Sequence, residues 1–195
     1  MAKIFYLMGK SSSGKDTIYK NLIQNKKLSL QKIVLYTTRP IRVGEQEGVE
    51  YHFVTEEVMQ TMCEKGQVIE CRTYETCLGR WHYFTADSQD VNLSENNYIM
   101  IGTIESFLKT KHYYGEEKVV PIMISLDDGI RLQRALDREK GQENPKYSEM
   151  CRRFLADEAD FSEDKKKQAG IEKEFVNENL EDCLKEIEQF ILQQI

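Results

Sequence analysis

Four short apolar runs break an otherwise polar chain, at Ile4–Met8, Ile33–Tyr36, Tyr98–Ile101 and Val119–Ile124. Each has the length of a buried strand and is too short for a core helix. Amphipathic segments lie between and after them. The clearest is the last, where Leu180, Cys183, Leu184, Ile187, Phe190 and Ile191 recur at helical spacing behind Asn179, a ready N-cap. Strand alternating with helix predicts an α/β fold: a mainly parallel sheet, helices on both faces, and ligands at the carboxyl ends of the strands. Between about residues 37 and 96 that alternation lapses into turn residues, aromatics and strand-like runs such as Glu50–Val54 and Trp81–Thr85, with one helical stretch near 55–65. The reading is one domain, 1–195, with a core of 1–36 and 97–195 and a small inserted subdomain at about 37–96. A polar interruption at Arg138–Met150, holding Gly141 and Pro145, predicts a mobile loop within a lid at about 138–153, and Lys165–Lys167 reads as a solvated face.

Composition narrows the function classes. At 195 residues and 40% hydrophobic, the chain can fill one core. No apolar run nears the roughly 20 residues of a membrane span, and Ile4–Met8 is too short for a secretory signal, so a cytoplasmic protein without a membrane partner is expected. Cys63, Cys71, Cys77, Cys151 and Cys183 include no C-x-x-C pair and read as reduced thiols. His52, His82 and His112 show no triad or metal spacing. A net charge of −6 excludes long nucleic acid held by charge alone, yet arginines cluster at 39–42, 72–80 and 131–153, as a small anionic ligand requires.

The first apolar run leads into Gly9-Lys10-Ser11-Ser12-Ser13-Gly14-Lys15-Asp16-Thr17 and then a helical pattern. Such a loop cradles phosphates: glycines permit a tight wrap, backbone N–H groups and the helix start converge on the anion, and the lysine reaches the β- and γ-phosphates. Gly9, Ser11, Ser12, Ser13, Gly14, Lys15, Asp16 and Thr17 are therefore candidates for a nucleoside triphosphate site. Asp16 stands where the usual pattern has a Mg²⁺-binding Ser or Thr, and Thr17 follows one place later. Asp16 reads equally as a first-turn acid favoured by the helix dipole or as a holder of the Mg²⁺ shell, so the metal candidate is Asp16 or Thr17.

Thr37-Thr38-Arg39-Pro40-Ile41-Arg42-Val43-Gly44-Glu45-Gln46-Glu47-Gly48-Val49-Glu50-Tyr51-His52-Phe53 resembles the T-T-R-x-x-R-x-G-E-x-x-G-x-x-Y-x-F run of the guanylate kinase family, which binds the monophosphate. Arg39 and Arg42, three apart in a turn, can both face one phosphate, and Tyr51 adds a hydroxyl donor. The resemblance implies Arg39, Arg42, Glu45 and Tyr51 as acceptor-binding residues, with Lys15, Arg39 and Arg42 also catalytic. Glu70 aligns with the family glutamate at the guanine edge, where a carboxylate accepts from N1–H and the exocyclic amine. The family's Tyr-Gly-Thr or Tyr-Gly-Ser is here Leu78-Gly79-Arg80, which carries Gly79 and Arg80 over to the substrate site. The serine often found before the T-T-R run is replaced around Leu35-Tyr36, and the aspartates of the L-D-I-D stretch become Ile101-Gly102-Thr103. Tyr74, Arg80 or Trp81 would then serve as donor or stacking surface, core packing being the ordinary alternative for Trp81.

Arg134 and Arg138 match the family's R-L-x-x-R with Ala135 in the leucine's place, and Arg152-Arg153 follow after a longer loop. Phe175-Val176-Asn177-Glu178-Asn179 resembles the V-x-N-D segment beside the adenine of ATP. The implied fold is a P-loop NTPase three-layer αβα arrangement with an inserted monophosphate-binding subdomain and a mobile lid. Arg134 and Asn177 would join the loop in holding ATP, and Arg138, Arg152 and Arg153 would close over the transferring phosphoryl group as catalytic residues. The implied activity is transfer of the γ-phosphoryl of Mg-ATP to GMP or dGMP, these small nucleotides being the expected partners. The alternatives are a kinase for another nucleoside monophosphate and a non-catalytic binding domain of the same fold, against which Gly14 and Lys15 speak. Oligomeric state is left unassigned.

Overall fold

The computed structural model describes residues 2–42, 44–76, 79–87 and 91–195; Val43, Cys77 and Leu78, named above, lie outside the described residues. Along the chain come β1 (Ile4–Gly9), α1 (Lys15–Gln24), β2 (Gln31–Lys32), β3 (Tyr36–Thr37), β4 (His52–Phe53), α2 (Glu56–Glu64), β5 (Val68–Thr76) and β6 (Gly79–Ala86). Then follow β7 (Tyr98–Ile101), α3 (Ile104–Tyr114), β8 (Val119–Ser125), α4 (Asp128–Lys140), α5 (Tyr147–Asp160), α6 (Glu163–Gln168), β9 (Glu174–Val176) and α7 (Leu180–Gln194). Two sheets result. The larger has the order β2-β7-β1-β8-β9, every described pair parallel, and the smaller has the order β4-β3-β6-β5.

Alternation along β1 divides the core into two layers. Phe5 and Leu7 face Ile18 and Leu22 of α1 and Cys183, Ile187 and Ile191 of α7. Ile4, Tyr6 and Met8 face Ile104 and Phe107 of α3, joined by Phe161 and Ala169. The central strand is thus buried on both sides, as a parallel sheet between helices requires. This is the α/β architecture expected for a P-loop fold. Asn179 caps α7 as expected, its Oδ1 accepting from the N–H groups of Glu181 and Asp182.

The run Ile33–Tyr36 is not one strand. Gln31 and Lys32 pair with β7 in the large sheet, whereas Tyr36 and Thr37 pair with β4 and β6 in the small one. The chain crosses between sheets there: Ile33 is buried in the α3-side core, and the half-buried Tyr36 packs on the separate cluster of Met59, Phe84 and Ala86. Glu50–Val54 contracts to the two residues of β4, His52 and Phe53 standing in register with Tyr36 and Thr37 of β3. Lys165–Lys167 is also not wholly solvated, because Lys166 bonds to Glu163 and to Glu174 of β9. Residues 138–153 comprise the end of α4, a connecting turn and the first half of α5.

Candidate functional site

The loop after β1 wraps as its sequence demands. Gly14 sits at φ 88 immediately before α1, and a Cβ there would stand 2.2 Å from Asn177 Nδ2, so both backbone sign and space require glycine. Ser12 also takes a positive φ of 63, a strained value for a non-glycine residue. The hydroxyls of Ser12 and Ser13 are buried without a hydrogen-bond partner among the described residues. Behind the loop, Asn177 Nδ2 donates to the Ser13 carbonyl at 2.7 Å, and Arg134 Nη1 lies 3.9 Å from the place of a Gly14 Cβ. Two distant segments, β9's end and α4, are thereby brought against the loop.

Lys15 bonds to Asp16 at 2.9 Å, and its ammonium is the main reason the Asp16 carboxyl is held below the ordinary aspartate range. The Arg138 charge adds a lesser part of that lowering. Thr17 is exposed on the same first turn. Arg152 and Arg153 instead turn to Glu149 on their own helix, α5, and both are exposed. Of the lid arginines, the structure therefore brings Arg134 to the loop and leaves Arg152 and Arg153 facing solvent.

Arg131 was missed by sequence reasoning as a site residue, although it lay within a noted arginine cluster. It is 1% exposed, donates from Nε to the Ser11 carbonyl at 3.0 Å and from Nη2 to Asp157 at 3.0 Å, and pairs with Asp128. Asp157 in turn accepts from the Ser11 N–H at 2.8 Å, and the Arg131 guanidinium lies over Phe154. One buried cation thus ties loop, α4 and α5 together. Its only signal in the sequence is Asp128 one turn earlier, which any exposed helix could show.

In the small sheet, Arg39 is buried and its Nη1 and Nη2 fork onto Glu45 at 2.7 and 2.5 Å. Its flat face lies 5.2 Å from the Tyr51 ring centroid and 5.3 Å from that of Phe53, while Nε is buried without a hydrogen-bond partner among the described residues. Glu45 also accepts from the Arg42 N–H at 2.8 Å, and the hydrogen bond from Arg39 is the main cause of its pKa falling to about 2. Arg42 itself is exposed. The two arginines therefore do not present equivalent faces: one is locked into the turn and the other stands free at its rim. Burial raises the Tyr51 hydroxyl pKa, with the Tyr83 charge the next cause.

The pairing of β5 with β6 decides which residues share a face. Glu70 lies opposite Thr85, Arg72 opposite Tyr83 and Tyr74 opposite Trp81, and alternation puts all six on one face. Cys71, Thr73, His82 and Arg80 lie on the other, where Thr73 bonds to His82 and Arg80 to Glu75. Arg80 is thus separated from Glu70 by the thickness of the sheet, and Gly79 lies at the hairpin end. Tyr74 and Trp81 remain with Glu70. Glu70, which as a lone acid would ordinarily be exposed, has a fully buried side chain. At the end of β7, a Cβ on Gly102 would stand 2.1 Å from Tyr6 Oη, which donates to Ser106 Oγ at 2.7 Å and is pushed up to about 12 chiefly by burial.

Comparison with known proteins finds a family model described as guanylate kinase matching residues 1–194. The guanylate kinase of Anaplasma phagocytophilum is 39% identical over 67 residues, 34% of this chain and 32% of that protein, so this alignment spans about a third of the relative. A guanylate kinase of Malacoplasma penetrans is 31% identical over 121 residues, with 62% of this chain and 56% of the relative covered. That of Mesomycoplasma hyopneumoniae is 27% identical over 201 residues, covering 100% of this chain and 96% of the relative. The crystal structure of guanylate kinase from Anaplasma phagocytophilum superposes with a TM-score of 0.66 at 22% identity, over 99% of this chain and 86% of that one, a likeness of fold.

Proposed function

The chain belongs to the guanylate kinase family, and from that premise we propose that it transfers the γ-phosphoryl group of Mg-ATP to GMP or dGMP, giving ADP and GDP or dGDP. The observation that carries this reading is a pair of candidate anion sites, the Gly9–Thr17 loop with Gly14 at φ 88 before α1 and the Arg39–Tyr51 segment with its buried guanidinium. In the donor site, loop N–H groups and the dipole of the ten-residue α1 hold the triphosphate. The partnerless Ser12 and Ser13 hydroxyls supply further donors. Lys15 exchanges Asp16, which is 82% exposed and so a weak partner, for phosphate. Arg134 and Asn177 flank the bound nucleotide.

The residues present fit Mg²⁺, because Asp16 and Thr17 place hard oxygen donors at the start of α1 and Mg²⁺ is usually bound by one or two carboxylates together with substrate phosphates. When bound, Mg²⁺ neutralises charge on the β- and γ-phosphates. Asp16 or Thr17 would hold it. On the acceptor side, Arg39 is oriented by Glu45 and presents Nε, Arg42 reaches in from the rim, and Tyr51 gives its hydroxyl. Arg138 would act at the donor end, and a swing of α5 would bring Arg152 and Arg153 over the transferring oxygens and exclude water. The protein supplies position and charge, and no covalent intermediate is needed. Free Cys63, Cys71, Cys151 and Cys183 suit a reducing cytoplasm, and no described helix is long and apolar enough to cross a membrane.

The test is ADP formation from Mg-ATP with GMP or dGMP, alongside Lys15→Ala, which should lose about a hundredfold or more in turnover. No acceptor-dependent ADP formation would favour the non-catalytic binding domain. Gly102 and the placement of Arg80 away from Glu70 support a second reading, a kinase whose base preference differs from that of its relatives.

A further inference from the structure

We propose that Arg72 selects the base: together with Glu70 it reads the N1–H and 6-oxo edge of a purine and leaves the 2-amino group unread. This inference rests on the monophosphate kinase reading and assigns it a substrate class, the 6-oxopurine monophosphates.

The geometry begins with the pleat. Arg72 is two residues after Glu70 on the same face of β5, and its side chain is 16% exposed where that of Glu70 is 0%. Glu70 Oε1 is already engaged, accepting from Thr85 Oγ1 at 2.8 Å and from Arg72 Nη2 at 3.4 Å. Oε2 lies 3.2 Å from Arg72 Nε, close enough for an ion pair. The two are misaligned for a hydrogen bond, however, and both atoms are buried without a hydrogen-bond partner among the described residues. A counter-ion serving only to neutralise Glu70 would be expected to align its fork. Here an acceptor and a donor stand side by side, each unsatisfied by the other. Arg72 also acts on more than its own strand, its charge being felt by Tyr6 of β1 and by Tyr51 of the acceptor segment.

A 6-oxopurine complements this pair. Its N1–H can donate to Oε2 while O6 accepts from the guanidinium. A 6-aminopurine reverses both contacts, setting a lone pair against the carboxylate and an amine against the arginine. Leaving two buried polar groups opposed in this way is the kind of mismatch that a binding site rejects strongly.

The 2-amino group fares differently. With Oε1 saturated, Glu70 has one oxygen left for the base, not two. Nor can position 102 supply another acid, since any Cβ there would meet Tyr6 Oη at 2.1 Å and Ser106 Oγ at 2.5 Å. Loss of the 2-amino group therefore removes little recognition.

The experiment is steady-state kinetics of the full chain with GMP, IMP and AMP as acceptors at saturating Mg-ATP. For the wild type, kcat/KM for GMP and IMP should agree within about tenfold, with AMP lower by about a thousandfold or more. Arg72→Met should raise KM for GMP and IMP alike by about tenfold or more, keep KM for ATP and narrow the gap to AMP. Arg72→Lys keeps the charge beside Glu70 but loses the fork, so it should fold and still fail to restore discrimination. Preference for GMP over IMP beyond about a hundredfold would overturn the single-acceptor argument. Restored discrimination in Arg72→Lys, or an unchanged GMP to AMP ratio in Arg72→Met, would reduce Arg72 to a counter-ion and overturn its assignment. A wild type that phosphorylates no monophosphate would sink the kinase reading itself, and this inference with it.

Discussion

Glu45 orders the acceptor segment by making three contacts with one carboxylate: two to the Arg39 fork and one to the Arg42 N–H. Its pKa of about 2 lies below the ordinary 4.5, with the Arg39 hydrogen bond as the leading cause. A depressed folded-state pKa means that the stabilisation is fully present above about pH 4.5 and lost as pH falls towards 2. Urea unfolding should therefore show a constant deficit for Glu45→Gln at neutral pH that shrinks as wild type is titrated through the acid range. A gap independent of pH would show that the carboxylate charge is not what matters. The grouping of Arg39, Glu45 and Tyr51 in one segment was legible through its resemblance to the guanylate kinase run. That Arg39 would be buried in a fork while Arg42 stands exposed was not, because a turn's sequence does not say which side chain faces inward.

At the scale of elements, the loop and α1 were readable because backbone geometry makes local demands, and Gly14 at φ 88 answers one of them. Arg131 was not readable, since burying an arginine is favourable only where carbonyl and carboxylate partners converge from elsewhere. Ser11, Asp128 and Asp157 do so from the loop, α4 and α5. Arg131→Met should cost about 3 kcal/mol in chemical denaturation, towards the low end for breaking a buried pair because Asp128 and Glu158 reach solvent. No measurable loss would mean that α4 and α5 are held to the loop by other contacts. The hairpin of β5 and β6 gives the same lesson in a sheet: Arg80 and Trp81 are adjacent in sequence, yet the pleat sends them to opposite faces.

For the whole molecule, the helix proposed to swing over the nucleotides is held by few packed side chains beyond Asp157 and Phe154. α5 has no buried residue, whereas α7 buries Cys183, Ile187 and Ile191. Its backbone amides should exchange with deuterium faster than those of α7, and slow when donor and acceptor nucleotides are both added. Slow exchange from the outset would argue that α5 is already fixed in place. The sequence by itself determined the α/β class, through periodicity, and placed a glycine-rich loop between strand and helix, where backbone geometry leaves little choice; the Arg39–Tyr51 segment was singled out by its resemblance to the guanylate kinase run. Only the tertiary structure decided that Arg72 stands beside Glu70 on one face, that Tyr6 fills the space a side chain at Gly102 would need, and that Arg131 lies beneath the loop. Each of those depends on strand register or on burial between distant segments, and the energy of a buried charge or hydroxyl is set by neighbours that no local window contains.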